Sequence, residues 1–253
     1  MILRRLGNKK KLAQQIQTFF PEHKIYIEPF FGAGGMFFNK PKAKYNIVND
    51  LDSDVFNLFQ VVMNQKKELE RAFYLMPIHS DLLEYWKKAL RFLLMSNFTF
   101  NGNGSTIVFG ASVSRATSYK IDFNEKLKKT FDNLYTVQFI NKDFKKFFNS
   151  IMLDNRGAKG ESGKTFIYAD PPYINTDDNY SNSFTKADSL ELFEALKKTG
   201  CRWAMSEFNN PFILDQAKQR GLNIHFLGSR QNLKNRCTEI LVTNYENRQI
   251  KLF

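Results

Sequence analysis

The 253-residue chain predicts an α/β protein: a doubly wound, mostly parallel sheet with an antiparallel edge hairpin, plus a smaller, mostly helical inserted lobe. Three observations predict it. Short apolar runs rich in aromatic and β-branched residues alternate with amphipathic helical patterns in both halves of the chain, as strands joined by crossover helices do. An early strand, Ile25-Tyr26-Ile27-Glu28-Pro29-Phe30, runs into the turn Phe31-Gly32-Ala33-Gly34-Gly35 and a short apolar helix at Met36-Phe37-Phe38, the first half of a Rossmann-like unit. Between them the alternation lapses into helical pattern alone. The chain therefore divides into one domain over 1–56 and 136–253 and an insert over 57–135.

Taken in order, Asn8 is placed to cap a helix carrying Leu12, Ile16 and Phe19 and ended by Pro21. Lys9, Lys10 and Lys11 at its start oppose the helix dipole. They read either as a solvated basic face or as a sign of an anion nearby. After the glycine turn, whose residues let backbone approach a ligand closely, Tyr45-Asn46-Ile47-Val48-Asn49-Asp50 is a second strand ending in an acid. Asp50 follows Gly32 at the spacing, about 20 residues, at which such folds place a carboxylate on ribose hydroxyls. No second phosphate-cradling pattern accompanies it, which favours a small adenosine ligand over a dinucleotide.

Asp52 or Asp54 caps a helix bearing Val55, Leu58, Phe59 and Val62, and further helical patterns cover about 66–76 and 80–98. The Asn- and Gly-rich stretch that follows holds Asn101 and Asn103 and reads as an exposed functional loop. Val108 to Lys120 reads as irregular, with Arg115 and Lys120 disposed to reach phosphate, before helix returns over Asp122 to Leu134. Alternation resumes with a strand over 136–141, a helix over 144–152 and a charged, glycine-containing loop over 154–164. After the strand Thr165–Ala169 and a polar loop, Asp188 and Glu191 predict a capping box for a helix ending before Gly200. A strand over 203–206, a helix over 211–220, and strands over 223–227 and 238–244 complete the pattern. No helix separates the last two strands, hence the hairpin.

The strand Thr165–Ala169 stops at Asp170-Pro171-Pro172-Tyr173. Two prolines cannot continue a central strand and lock φ, so they hold the Asp170 carboxylate and the Pro171 carbonyl in a stiff corner beside the Tyr173 ring. Two acceptors and an aromatic plane suit a flat ring bearing an exocyclic amine. Two other motifs fail on context. Ala158-Lys159-Gly160-Glu161-Ser162-Gly163-Lys164-Thr165 nearly matches a phosphate-binding loop but precedes its strand instead of following one. Asn209-Asn210-Pro211-Phe212 resembles a catalytic variant but reads as a helix cap with proline in the first turn.

Composition narrows the partners. The net charge of +12 favours a polyanion. The 26 Phe exceed what base stacking needs, so most belong to the core. Cys201 and Cys237 lie outside any C-x-x-C pattern and read as reduced thiols. His23, His79 and His225 have no metal-ligand spacing, so no metal is expected. Apolar runs are too short to span a membrane and Met1-Ile2-Leu3-Arg4-Arg5 is too brief for a signal peptide, which predicts a cytoplasmic protein.

The assembled order is Leu6-Gly7-Asn8-Lys9, Glu28-Pro29-Phe30-Phe31-Gly32-Ala33-Gly34, Asn49-Asp50, a helical insertion, Lys142-Asp143-Phe144, Asp170-Pro171-Pro172-Tyr173 and Glu239-Ile240-Leu241-Val242-Thr243-Asn244-Tyr245. From Arg5 to Tyr245 it resembles the Dam family of DNA N6-adenine methyltransferases. The resemblance implies site-specific transfer of a methyl group from S-adenosylmethionine to N6 of adenine in double-stranded DNA, with the base flipped out. It leaves room for a cognate restriction endonuclease. It places Arg5 and Lys9 by the amino-acid end of the cofactor, with Lys9 on its carboxylate, although Arg5 stands where the family often has an aromatic residue. Phe30, Gly32 and Gly34 would shape the cofactor pocket, Asp50 would hold the ribose, Asp143 would accept from the cofactor adenine, and Asp170 and Tyr173 would hold the target base. The alternatives are an inactive basic DNA-binding protein on the same fold and an RNA adenine methyltransferase. Intact Asp170, Tyr173, Asp50 and Lys9 oppose the first. In the family an arginine usually stands between an Asn-Gly pair and a Phe-Gly pair in the recognition loop, and many members methylate GATC. Here Asn103 to Val108, between Asn101-Gly102 and Phe109-Gly110, contains none. Arginine suits bidentate reading of guanine, so the expected target is an adenine in a site that departs from GATC or is looser at one position.

Overall fold

The computed structural model describes residues 2–5, 7–75, 87–99, 112–151, 153, 161–174, 184–231 and 236–247. Its centre is a seven-stranded sheet of order β3-β2-β1-β4-β5-β7-β6. The strands are β1 (Ile25–Glu28), β2 (Tyr45–Asn49), β3 (Val137–Ile140), β4 (Thr165–Ala169), β5 (Arg202–Phe208), β6 (Asn223–Gln231) and β7 (Arg236–Thr243). Those from β3 across to β5 pair in parallel, Ile27 standing beside both Ile47 and Ile167. β7 runs antiparallel to β5 and to β6. The hairpin expected at the sheet edge is present, but its second strand folds inward, so β7 separates β5 from β6.

Alternation along the strands divides the core. Tyr26, Phe166 and Tyr168 face one layer, together with Leu58, Phe59, Leu93 and Phe123. Ile27, Ile167, Ala169, Trp203 and Met205 face the other, with Phe147, Leu192, Phe193 and Ile213. The first layer holds α1 (Ala13–Gln17), α2 (Ser53–Asn64), α3 (Lys66–Leu75), α4 (Lys88–Phe98) and α5 (Ser112–Leu134). The second holds α6 (Phe144–Ser150), α7 (Lys186–Lys198) and α8 (Pro211–Gln219). Helices α2 to α5 pack on one another, Phe73 of α3 stacking on Phe123 of α5 with ring centroids 3.9 Å apart. The expected boundary at residue 57 falls inside α2, which runs unbroken from Ser53 to Asn64.

Local chemistry sets the element ends, in places differently from expectation. Asn8 caps only a 3₁₀ turn, Lys9–Lys11, its Oδ1 accepting the Lys10 N–H; α1 begins at Ala13. Of the two candidate caps for α2, Asp52 acts, accepting from the N–H groups of Asp54 and Val55. The capping box of α7 is Thr185 with Asp188, three residues earlier than the pair expected. Threonine at the cap lets Asp188 return the hydrogen bond to the Thr185 N–H. Ser112 to Lys120, expected to be irregular, belongs to α5. Asn101 and Asn103 lie outside the described residues.

β1 and β4 are sheet neighbours whose chains depart to opposite sides, towards β2 and towards β5. This is the switch point of a doubly wound sheet, where a crevice opens at the carboxyl ends of the strands. Glu28 and Asp170 stand at those two ends.

Candidate active site

The crevice is a cleft of about 660 Å³ whose walls include Arg5, Lys9, Phe30, Gly32, Asp50, Asp143, Asp170 and Pro172. Its floor is the turn after β1. Pro29 ends the strand, yet the Phe31 N–H still reaches the Asn49 carbonyl at 2.9 Å. Gly32 has φ +54°, a backbone that favours glycine, and a Cβ added there would meet nothing within 4 Å. The turn therefore leaves open space where a ligand can lie against backbone. Gly34 (φ +73°) does something else: it does not line the cleft, and a Cβ there would strike the Phe38 and Phe31 rings. It shapes the turn from behind. Gly35, the last residue of the turn, lines the cleft and leaves room for Asn8, whose amide oxygen a Cβ would hit.

Asp50 closes this floor. Its Oδ2 accepts the Gly32 N–H at 2.5 Å and its Oδ1 the Asp52 N–H at 2.8 Å. Burial raises the carboxyl above its ordinary value, while Arg5 and these two hydrogen bonds pull it back down. Arg5 pairs with Asp52 at 2.7 Å, so it stands at the cleft wall already engaged with the neighbouring carboxylate. Asn49, which sequence reading passed over, ties the ends of three strands together. Its amide donates to the Pro29 and Lys142 carbonyls and accepts the Lys142 N–H. Asp143 is held as the cap of α6 by the Lys145 N–H. Phe30, Phe144 and Phe184 form an apolar corner, with ring centroids 5.7 to 6.1 Å apart. Phe184 is a second residue the sequence did not signal.

On the other side, Lys9 is nearly inaccessible, 3 % exposed, although it sits in a run of lysines. Its Nζ stands 2.7 Å from Asp170 Oδ1 and 3.3 Å from Glu239 Oε1, and 4.6 Å from the centre of the Tyr173 ring. The buried anions met by Lys9 are thus the protein's own. Tyr173 donates its hydroxyl to Glu239 Oε1 at 2.8 Å, and the edge of its ring meets Phe208 with centroids 4.5 Å apart. Burial, then the Asp170 charge, push the Tyr173 phenol well up, so it acts as a donor. Glu207 of β5 takes the N–H groups of Phe208 and Ile174, which pins the chain just after Tyr173. Burial pushes the Glu207 carboxyl up to about 8. Glu28, buried at the end of β1, is also pushed up to about 8 by burial and accepts the Tyr26 hydroxyl at 2.8 Å. Glu207 was signalled only as a carboxylate inside a strand, whereas Glu239 opened the terminal motif but carried no assigned role.

The structure thus brings Asp170, Tyr173 and Lys9 into contact and sets Phe30, Gly32, Asp50 and Asp143 around the same cleft. Arg115 and Lys120 lie on α5. Among the described residues no group of His, Cys, Asp and Glu is arranged to hold a metal ion. No helix among them is long and apolar enough to cross a membrane.

Comparison with known proteins adds the chemistry. The type II methyltransferase M1.LlaDCHI of Lactococcus lactis subsp. cremoris is 26% identical, over 95% of this chain and 94% of that protein. The modification methylase StsI of Streptococcus sanguinis is 26% identical over 98% of this chain, which spans only 43% of that protein. A DNA adenine methylase of Vibrio cholerae is 25% identical over 76% of this chain and 74% of that protein. A family description, D12 class N6 adenine-specific DNA methyltransferase, matches residues 6–245. That span runs from the corner holding Lys9 to the strand holding Glu239, and the chain belongs to this family of adenine-specific DNA methyltransferases.

Proposed function

We propose that the cleft binds S-adenosylmethionine beside a flipped adenine of duplex DNA, and that Asp170 and the Pro171 carbonyl accept hydrogen bonds from the two N–H groups of the adenine amine, one of whose protons leaves as the methyl is gained. The observation that carries this reading is Asp170, fixed at the carboxyl end of β4 on the wall of the cleft, with a buried ammonium at 2.7 Å. A cation so close favours the ionised carboxylate, the form that accepts a hydrogen bond. Adenine N6 is a poor nucleophile because its lone pair is delocalised into the ring. Acceptors placed on both N–H groups localise that lone pair as the new bond forms, a charge-assisted interaction that strengthens towards the transition state. Bound S-adenosylmethionine supplies an electrophilic methyl on a sulfonium centre.

The protein's work is then positioning. Phe30, Phe144 and Phe184 offer apolar faces to an adenine ring, with Asp143 at its edge. Asp50 spends one lone pair of each oxygen on backbone N–H groups and keeps others for ribose hydroxyls. Half-buried Tyr173 offers its ring to a base withdrawn from the duplex. We assign DNA recognition to residues 57–135, including Asn101 and Asn103, with Arg115 and Lys120 on α5. The cytoplasm is the compartment in which we place the enzyme, and a cognate restriction endonuclease is the partner suggested by relatives named as type II enzymes.

The test is transfer of labelled methyl from S-adenosylmethionine to duplex DNA, with the product nucleosides separated. Label on N6-methyladenine is expected. Label on RNA alone, or none with cofactor bound, would overturn the reading.

A further inference from the structure

Glu239 has no part in the chemistry described so far, and three observations set it apart. It is a carboxylate with no solvent exposure in the middle of β7, followed by the buried Ile240, Leu241 and Val242. It belongs to β7, the antiparallel strand, whereas the Asp170 turn leaves the parallel strand β4 on the far side of β5. Its Oε1 receives the Tyr173 hydroxyl at 2.8 Å and stands 3.3 Å from Lys9 Nζ. One carboxylate therefore holds both neighbours of the catalytic one.

We propose that Glu239 is a positioning residue for methyl transfer, fixing the Tyr173 ring through its hydroxyl and drawing the Lys9 ammonium partly away from Asp170. The pairing of β5 with β7 supports this. Phe208 is the register partner of Glu239 and meets the Tyr173 ring edge-on, while its neighbour Glu207 holds the Ile174 N–H. The strand pair thus grips the Asp170-to-Ile174 turn at ring, hydroxyl and backbone. The charge balance points the same way. An ammonium shared by two carboxylates leaves Asp170 part of its negative charge for the adenine amine. Without the Glu239 charge, the Lys9 ammonium is held more fully by Asp170, and Asp170 becomes a poorer acceptor. No proton or electron moves through Glu239 in this role; it acts only through Lys9 and Tyr173.

This inference rests on the proposed methyl transfer, so wild-type enzyme is assayed first on duplex DNA; no transfer there means that the proposed function fails. Single-turnover rates, cofactor affinity by calorimetry and thermal midpoints are then measured for Glu239→Gln, Tyr173→Phe and the double variant. Glutamine removes the charge and with it the charge-assisted hold on the hydroxyl, so both single variants loosen the same Tyr173 contact. Each single variant is expected to slow transfer about 10- to 100-fold, the scale on which a misplaced group costs a positioned reaction. Cofactor affinity stays within about threefold, because neither side chain lines the cleft, and the double variant loses at least about threefold less than the product of the single losses. A wild-type rate for Glu239→Gln, losses that multiply, or a fall in cofactor affinity as large as the fall in rate would overturn the proposal. If Glu239→Gln does not fold, Tyr173→Phe decides: slowed transfer with an unchanged thermal midpoint supports it, and an unchanged rate overturns it.

Discussion

Asp170 and Asp50 are both carboxylates at strand ends, yet their partners assign them different work. Asp170 meets a cation on the wall of the cleft, where we propose that it faces the substrate; Asp50 meets backbone N–H groups and shapes a floor. Replacing Asp170 by Ala is accordingly expected to slow methyl transfer by roughly 10³-fold, as loss of a preorganised charge-assisted contact does. Calorimetry should still detect cofactor binding. Asp50→Ala should instead lower S-adenosylmethionine affinity at least about tenfold, since two hydrogen bonds to a charged group contribute roughly 2–4 kcal/mol; an unchanged affinity would restrict Asp50 to holding Gly32. At this scale the sequence revealed residues whose neighbours in the chain form a motif: Asp170 with its prolines, Gly32 in its turn, Asp50 at the end of its strand. It gave no role to Glu207, nor to Glu239 and Asn49 within their motifs, because their partners are brought in by pairing between strands distant in the chain. The resemblance set Lys9 on the cofactor carboxylate, whereas here it meets Asp170 and Glu239. A run of three lysines gives no hint that one of them is buried, and its 2.7 Å partner lies far along the chain, just past the end of β4.

Among the elements, the strands were legible because buried parallel strands are short apolar runs, and helix ends were less so. Thr185 caps α7 although the acidic pair further along looked the better cap. Thr185→Ala should cost about 1 kcal/mol, read as a lower denaturant midpoint. Helix α5 begins at Ser112, well before its expected start, through a stretch of Ser, Thr and Val that propensity disfavours. Packing farther along, where Phe123 meets Phe73, supplies what propensity lacks. The change matters for function, since Arg115 and Lys120 then ride on a helix rather than a loop. Each of Arg115→Ala and Lys120→Ala should weaken binding to DNA of any sequence and reduce the slope of log affinity against log salt by about 1. Unaltered slopes in fluorescence titrations would remove both from the phosphate interface.

Across the whole molecule, buried acids make stability depend on pH. Glu28 is pushed up to about 8 from 4.5. Between those values the native state keeps a proton that the unfolded chain has released, so this group's contribution falls as pH rises through the window. Lys40, lowered by burial to about 8, acts above that window. Glu28→Gln should therefore gain stability relative to wild type from about pH 5 to about pH 8 in denaturant melts; a constant difference would mean Glu28 is charged in the fold. Specificity is also a property of the whole assembly. The expected departure from GATC is checked by expressing the protein in a host lacking adenine methylation and sequencing the genome. Modification of GATC and nothing else would overturn it. The inward fold of β7 has a further consequence, one of timing. A chain emerging from the ribosome delivers Asp170 and Tyr173 first, then β5, and only later Arg236–Thr243. Until that strand arrives, β5 presents a bare edge and Tyr173 lacks Glu239. On the role proposed for Glu239, nascent enzyme with every wall of its cleft in place would still transfer methyl slowly, and DNA beside it would stay largely unmarked until that strand docks.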